Sequence, residues 1–121
     1  EGDARRAFHW YDLDAGTVER VAPDRLTEDG HCSFSPSGRR VLTDTYPDGE
    51  NRQHLLLYDR DSGELSEIAS FDAPPVANHD LRCDLHPRWD RSGRWVCVDA
   101  RHSGRRQLYV VDVSTVTDDT S

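Results

Sequence analysis

The sequence of 121 residues contains no lysine, so all fifteen of its basic residues are arginines, and it contains no methionine. No run of apolar residues approaches the ~18 that a transmembrane helix requires. The net charge of −8 argues against a nucleic-acid partner, because phosphate binding depends on clustered lysine and arginine. We therefore expect no membrane and no nucleic acid among the partners of this chain.

Cysteine is also scarce. Cys32, Cys83 and Cys97 are odd in number and lack the C-x-x-C spacing, so the sequence indicates neither a disulfide framework nor a zinc ribbon. A reducing compartment, the cytoplasm, is the expectation. With 35% hydrophobic residues the chain has room for one small core. Because it starts at Glu1 and lacks methionine, we expect a piece of a longer protein.

What the sequence does contain is a repeat. The stretch GHCSFSPSGRRVLTDT, from Gly30 to Thr45, is written again as LHPRWDRSGRWVCVDA, from Leu85 to Ala100, with a histidine at the same place in both. A second register links LLLYDRDSGEL, YVVDVST and HWYDLDAGTV. The matched residues of the first register are His31 with His86, Phe34 with Trp89, Ser37-Gly38-Arg39 with Ser92-Gly93-Arg94, Val41 with Val96, and Asp44 with Asp99.

Each repeat has the composition of β-strands joined by tight turns. RRVLTDT and RWVCVDA are rich in β-branched and aromatic residues, and SPSG and DRSG before them supply turn residues. HLLLYD and QLYVVDV are apolar on both faces, which is typical of a strand lying between neighbouring sheets. No segment has a helical period, and the tail STVTDDTS is predicted to be frayed. The fold class is therefore predicted to be all-β.

Small four-stranded units at a period of ~40–50 residues are typical of β-propeller blades. The sequence predicts a propeller fragment of about two and a half four-stranded antiparallel blades. Residues 1–30 would end a preceding blade, residues 31–85 would form a blade with a long connecting loop, and residues 86–121 would form the last blade and a polar tail. The remaining blades of the parent chain would be its partners, and the isolated piece would expose an edge strand and self-associate.

Two family resemblances rest on these residues. SFSPSGRRVLTDT and PRWDRSGRWVCVDA resemble the TolB-type, WD40-like propeller repeats. GHCSFSP with TDTYPD and RCDLHPRW is similar to the C-terminal blades of the oligogalacturonate lyase family. That resemblance implies a polysaccharide lyase for pectin-derived uronate oligosaccharides, acting by β-elimination. It also implies a divalent metal, usually manganese, held by three histidines and a glutamine, with the catalytic base in earlier blades.

The residues themselves suggest where such a metal would bind. His31 and His86 recur just before an innermost strand, so they would converge at the axial channel, and imidazole suits borderline divalent metals. Asp84 is a third candidate ligand, at a position where the lyase family is expected to have a histidine. Arg82 is a candidate for binding a substrate carboxylate. His79 is a weaker fourth candidate, and the position of the family's glutamine falls near Leu81.

Structural roles compete with these functional ones. Both repeated histidines would serve equally well to tie strands together in a non-catalytic propeller scaffold that binds a protein or peptide. Asp44 and Asp99 are predicted to accept backbone N–H groups. Cys32 or Cys83 would need a nearby base to act as a nucleophile. The remaining expectations are a buried core position for Phe34, Trp89, Trp10 and Trp95, and ordinary surface positions for His9, His54 and His102.

Overall fold

Antiparallel strands account for nearly all the regular structure of the chain. The computed structural model describes residues 7–76 and 82–117. In chain order its elements are β1 (Phe8–Asp12), β2 (Thr17–Val21), β3 (Cys32–Phe34), β4 (Arg40–Asp44), β5 (Arg52–Asp59), β6 (Leu65–Asp72), β7 (Arg88–Trp89), β8 (Trp95–Ala100), β9 (Gln107–Asp112) and the short helix α1 (Ser114–Thr117).

The strands form three antiparallel sheets, in each of which every strand pairs with the next one along the chain. Sheet 1 contains β1 and β2, sheet 2 contains β3 to β6, and sheet 3 contains β7 to β9. The predicted all-β class is therefore confirmed. That these sheets are blades of a propeller stays a prediction.

Two of the hairpin turns use the same chemistry, as their shared sequence predicts. The Asp12 carboxylate accepts backbone N–H groups of the β1–β2 turn, and the Asp59 carboxylate does so in the β5–β6 turn. Gly16 and Gly63 then take φ values of 71° and 78°. Glycine adopts this left-handed conformation without the steric cost that a Cβ imposes, so the turns require it there.

The main core lies between sheets 2 and 3. Alternate residues of β5 are buried, so one face of sheet 2 packs against the opposing face of sheet 3. Each fully buried Leu or Val side chain contributes ~1.5–3 kcal/mol relative to exposure. The buried members of this cluster are Leu42, Leu55, Leu57, Leu85, Val96, Val98, Ala100 and Val113.

Leu85 connects this core to the segment that carries two of the candidate ligands. Its side chain is fully buried, and its carbonyl accepts the N–H of Asp99 at 2.8 Å. Because both the side chain and the backbone of Leu85 are held, the residues on either side of it, Asp84 and His86, are fixed relative to sheet 3.

The predicted core aromatics divide into two groups. Trp89 is half-buried and packs against the core cluster, and Trp10 meets Phe34 edge to face at a centroid distance of 4.4 Å. Phe34 and Trp95, however, are 42% and 39% exposed. The prediction of a buried position was wrong for both: the described chain places no sheet over the face of Trp95, and the ring contacts of Phe34 are with Trp10 and Arg60.

The segment after β9 also departs from expectation. Ser114–Thr117, predicted as frayed tail, form a helical turn whose residues Val116 and Thr117 donate backbone N–H groups to the Val113 carbonyl. Val113 itself is fully buried, so it anchors α1 to the core. This helix, the one in the described part of the chain, is too short to cross a bilayer.

Candidate metal centre

The three ligands predicted from the sequence, His31, Asp84 and His86, lie together at the edge of sheets 2 and 3. One ligand atom from each of them lies within 4.8 Å of the others. The two imidazole rings have centroids 4.1 Å apart. His31 precedes β3 and His86 precedes β7, so the two matching positions in the repeat meet at one point. That they bind a metal stays a prediction.

Asp44, the last residue of β4, holds the two histidine segments together. Its Oδ1 accepts the backbone N–H of His31 at 2.6 Å, and its Oδ2 accepts that of His86 at 3.1 Å. The His31 Nδ1 lies 3.2 Å from Oδ2 and 3.3 Å from Oδ1. The prediction that Asp44 accepts backbone N–H groups is confirmed, and its two partners lie in segments that precede strands of two different sheets. Asp99, the matching residue, binds Arg88 through its side chain.

His86 has a backbone conformation that a non-glycine residue rarely adopts. Its φ is 46°, in the left-handed region. Such a conformation costs of order ~1–3 kcal/mol and persists only where surrounding contacts enforce it. Here the hydrogen bond from its N–H to Asp44 and the buried neighbour Leu85 enforce it. Ala22 and Asn51 adopt the same region outside the cluster, so the conformation of His86 shows that its backbone is held in place rather than marking a function.

Asp84 brings a carboxylate to the cluster, and one of its two oxygens lacks a hydrogen-bond partner in the described part of the chain. Its Oδ2 accepts a hydrogen bond from Arg82 at 3.1 Å, and its side chain is 12% exposed. Its Oδ1 is buried and has no hydrogen-bond partner among the residues that the structure describes. A buried acceptor without a partner costs ~1–3 kcal/mol, more when it is charged. A cation at the cluster would remove that cost.

Arg82 and Tyr46 border the cluster on its exposed side. The Arg82 guanidinium, which pairs with Asp84, also lies 5.0 Å from the centroid of the Tyr46 ring. That ring meets the His31 imidazole edge to face at 5.7 Å. That Arg82 binds a substrate carboxylate stays a prediction. Tyr46 was missed, although its place two residues after the end of β4, next to a predicted site, was a signal.

The neighbouring thiols are poor candidates for nucleophiles. Desolvation raises the pKa of Cys32 and of Cys83 above the usual thiol value. A thiol is nucleophilic and binds metals well only as the thiolate, which a raised pKa disfavours. Packing is therefore favoured for Cys83, which is buried, whereas Cys32 is exposed; the three cysteines of the chain are all free.

His54, expected at an ordinary surface position, is instead clamped between two carboxylates. Its Nε2 lies 2.7 Å from Asp48 and its Nδ1 lies 3.1 Å from Glu67. The hydrogen bond with Asp48 raises the pKa of His54, and the same bond lowers the pKa of Asp48 to about 2. Both ring nitrogens are occupied by carboxylates of the chain, so His54 has a structural role.

A cavity of about 520 Å³ lies between the turn that precedes β4 and the turn that precedes β8. Arginines line it, but Arg39 pairs with Asp59 and Arg94 pairs with Asp112 across neighbouring strands. Because both guanidinium groups form ion pairs with carboxylates of the chain, they have structural roles. The candidate ligands do not line this cavity, which therefore adds nothing to the metal centre.

Two further positions that the sequence suggested, His79 and Leu81, fall in residues 77–81, outside the described part of the chain. No family model matches this sequence, and no curated protein matches it. The geometry of the cluster is therefore what supports a function for this chain.

Proposed function

We propose that His31, Asp84 and His86 bind a divalent cation, with manganese as the preferred ion. We also propose that the chain is the C-terminal part of an oligogalacturonate lyase-like propeller. The observation that carries the proposal is the convergence of His31, His86 and the Asp84 carboxylate, one oxygen of which lacks a hydrogen-bond partner among the described residues. The substrate class, uronate oligosaccharides cleaved by β-elimination, follows from the resemblance of GHCSFSP and RCDLHPRW to that family.

The donor set suits such an ion. Neutral imidazole nitrogens bind borderline divalent metals, and a carboxylate oxygen shifts the preference toward harder ones such as manganese. A bound divalent ion would act as a Lewis acid toward a substrate carboxylate. The residues of this chain would hold that ion, while the cationic Arg82 at the exposed side would attract the carboxylate and orient it.

The base that β-elimination requires is expected outside this chain. β-Elimination needs a base to remove the proton α to the uronate carboxylate. His54 is engaged by Asp48 and Glu67, and the thiols near the cluster have raised pKa values. The resemblance to the lyase family implies that the base would come from the rest of the parent chain, and the 121-residue chain alone should turn over no oligogalacturonate. Its free thiols are compatible with the proposed cytoplasmic location.

The test is manganese binding to the full chain by isothermal titration calorimetry, with the metal content of the purified protein measured by elemental mass spectrometry. We expect one ion per chain, and a loss of binding of at least ~10-fold in His31→Ala, His86→Ala and Asp84→Asn. His102→Ala, outside the cluster, is the matched control and should bind as the parent does. Unchanged binding in the three cluster variants, or no binding by the parent, would refute the metal centre.

A second function, a non-catalytic scaffold, is favoured by one specific observation. Trp95, Leu108 and Val110 form an exposed apolar face on sheet 3, with exposed fractions of 39%, 60% and 59%. Exposed apolar side chains grouped on one face of a sheet are typical of a protein-binding site. In that case the histidines would only tie the sheets together, and the titration above would detect no manganese.

A further inference from the structure

Asp44 makes contacts that go beyond joining two strands. The carboxylate is 1% exposed, and each of its oxygens accepts the N–H of a different candidate ligand, His31 or His86. These two residues precede strands of different sheets. A single buried side chain therefore sets the spacing between the two histidine backbones, whether or not an ion is present.

The same carboxylate also selects the ring nitrogen that His31 can offer to a ligand. An ionised carboxylate only accepts hydrogen bonds, so the Nδ1 of His31, 3.2 Å from Asp44 Oδ2, is assigned as the N–H donor. The lone pair of the neutral ring then resides on Nε2. His86 is arranged alike, because its Nδ1 lies 3.3 Å from the Asp84 carbonyl, which is also only an acceptor. Both histidines thus present Nε2.

The packing around Asp44 shows that this arrangement is built into the fold. A Cβ on Gly30 would lie 1.9 Å from the Asp44 carbonyl oxygen and 2.9 Å from Oδ1. The segment before β3 thus approaches the end of β4 more closely than any side chain at residue 30 allows. This approach delivers the next residue, His31, to the carboxylate.

We propose that Asp44 is the positioning residue of this centre: it fixes both histidine backbones and makes Nε2 the ligand atom of His31. The metal-binding part of this inference rests on the proposed function, but the choice of ring nitrogen does not. Hydrogen-bonded carboxylates that orient a ligating histidine are typically worth about 10–100-fold in metal affinity.

The chain provides its own matched control. Asp99 occupies the same register position one repeat later, at the fifth residue of β8, and its carboxylate pairs with Arg88 at 3.1 Å. Asp44→Asn and Asp99→Asn each replace one carboxylate with an amide of the same size. Only the first replacement changes the acceptor that faces a candidate ligand.

Two readouts test the proposal: manganese affinity by calorimetry, and the His31 tautomer in the metal-free chain from long-range ¹H–¹⁵N spectra at a pH where the ring is neutral. We expect Asp44→Asn to weaken manganese binding by about 10–100-fold and to convert His31 from the Nδ1–H form to a mixture. Asp99→Asn should stay within about twofold of the parent and leave the tautomer unchanged, because Asp99 contacts neither ring.

The two readouts distinguish a failure of the metal-binding claim from a failure of the positioning role of Asp44. If the parent binds no manganese but the His31 tautomer shifts in Asp44→Asn, the metal function is wrong and the positioning role stands. If manganese binds equally well to the parent and the folded Asp44→Asn variant, the positioning role is overturned. Should Asp44→Asn fail to fold, the parent alone decides, because an Nε2–H tautomer of His31 in the metal-free parent contradicts the proposal.

Discussion

Gly30 shows how a residue without a side chain shapes the candidate site. Its replacement by alanine would place a Cβ 1.9 Å from the backbone oxygen of Asp44, which cannot move aside as a flexible side chain would. We expect Gly30→Ala to lower the free energy of unfolding by ~1–3 kcal/mol, the usual cost of overpacking, and to weaken manganese binding. Urea denaturation and calorimetry measure the two effects.

Gly49→Ala is the control for this substitution. A Cβ at Gly49 would meet no atom within 4 Å, and the backbone there is outside the left-handed region. Alanine at such a position is expected to be neutral or to stabilise the fold by ~0.4–1 kcal/mol, by restricting the unfolded chain. Equal losses of stability in the two variants would show that the close approach of residue 30 to Asp44 is not what matters.

His54 provides a pH-dependent prediction at the same scale. Asp48 is the principal cause of its raised pKa, so Asp48→Asn should bring the His54 pKa down toward the ordinary value of 6.5. A ¹H NMR titration of the His54 ring measures this directly. Asp72→Asn, which removes the partner of Arg52 two residues before His54, is the control and should leave the titration unchanged. Identical His54 curves in both variants would contradict the assignment.

The same pair also sets a pH window for stability. A histidine whose pKa is raised on folding stabilises the fold fully below its unfolded value near 6.5, and the contribution is lost as pH rises through the folded pKa. Asp48, whose pKa is lowered to about 2, contributes above its usual 3.8 and loses that contribution as pH falls toward 2. The pair therefore stabilises the fold most between the ordinary pKa of Asp48, 3.8, and that of His54, 6.5.

At the scale of elements, the joint between β9 and α1 depends on one side chain. Val113 is fully buried between the strand and the helical turn, and Val116, three residues later, is 41% exposed. We expect Val113→Ala to destabilise the chain by ~1–3 kcal/mol through the cavity that it leaves, and Val116→Ala to stay within ~0.5 kcal/mol of the parent. Thermal denaturation followed by circular dichroism measures both, and equal losses would show that α1 is not docked.

The elements that the sequence could predict are those determined locally. A short apolar run predicts β5, and Asp12 with Gly16 or Asp59 with Gly63 determines its turn within a few positions. The helical turn α1 escaped prediction because a single turn has no period to detect. Its anchor Val113 reads as the last residue of a strand in the sequence alone.

The candidate site was predictable only in part, for a related reason. His31 and His86 could be matched because the repeat puts them at the same place before a strand. The contacts of His54 could not be predicted, because its partner Glu67 lies on the neighbouring strand β6 and is brought close by strand pairing. The exposure of Trp95 depends on whether another sheet covers its face, which no local pattern encodes.

At the scale of the whole molecule, residues that are buried in sheet 2 have exposed counterparts at the matching positions of sheet 3. Leu55 and Leu57 lie four and two residues before Asp59, which pairs with the first residue of β4. Leu108 and Val110 stand in the same relation to Asp112, which pairs with the first residue of β8. The first two side chains are 0% and 2% exposed, and the second two are 60% and 59% exposed.

Leu55 and Leu57 of sheet 2 are covered by sheet 3, whereas no sheet of the described chain covers Leu108 and Val110. We therefore expect the chain to self-associate through this exposed face of sheet 3. Burial of apolar area at such a patch supplies the driving force. The weight-average mass in sedimentation equilibrium should rise with concentration, and the double variant Leu108→Lys, Val110→Lys should sediment as a monomer, since lysine at these positions adds charge to the contact.

Leu13→Lys separates this surface from general hydrophobic exposure. Leu13 is 91% exposed, more than either β9 residue, but it lies in the β1–β2 turn. If the face of sheet 3 drives association, Leu13→Lys associates as the parent does, because removing an isolated apolar side chain leaves the patch intact. If Leu13→Lys is as monomeric as the double variant, the exposed side chains act without regard to place and the sheet 3 face has no special role.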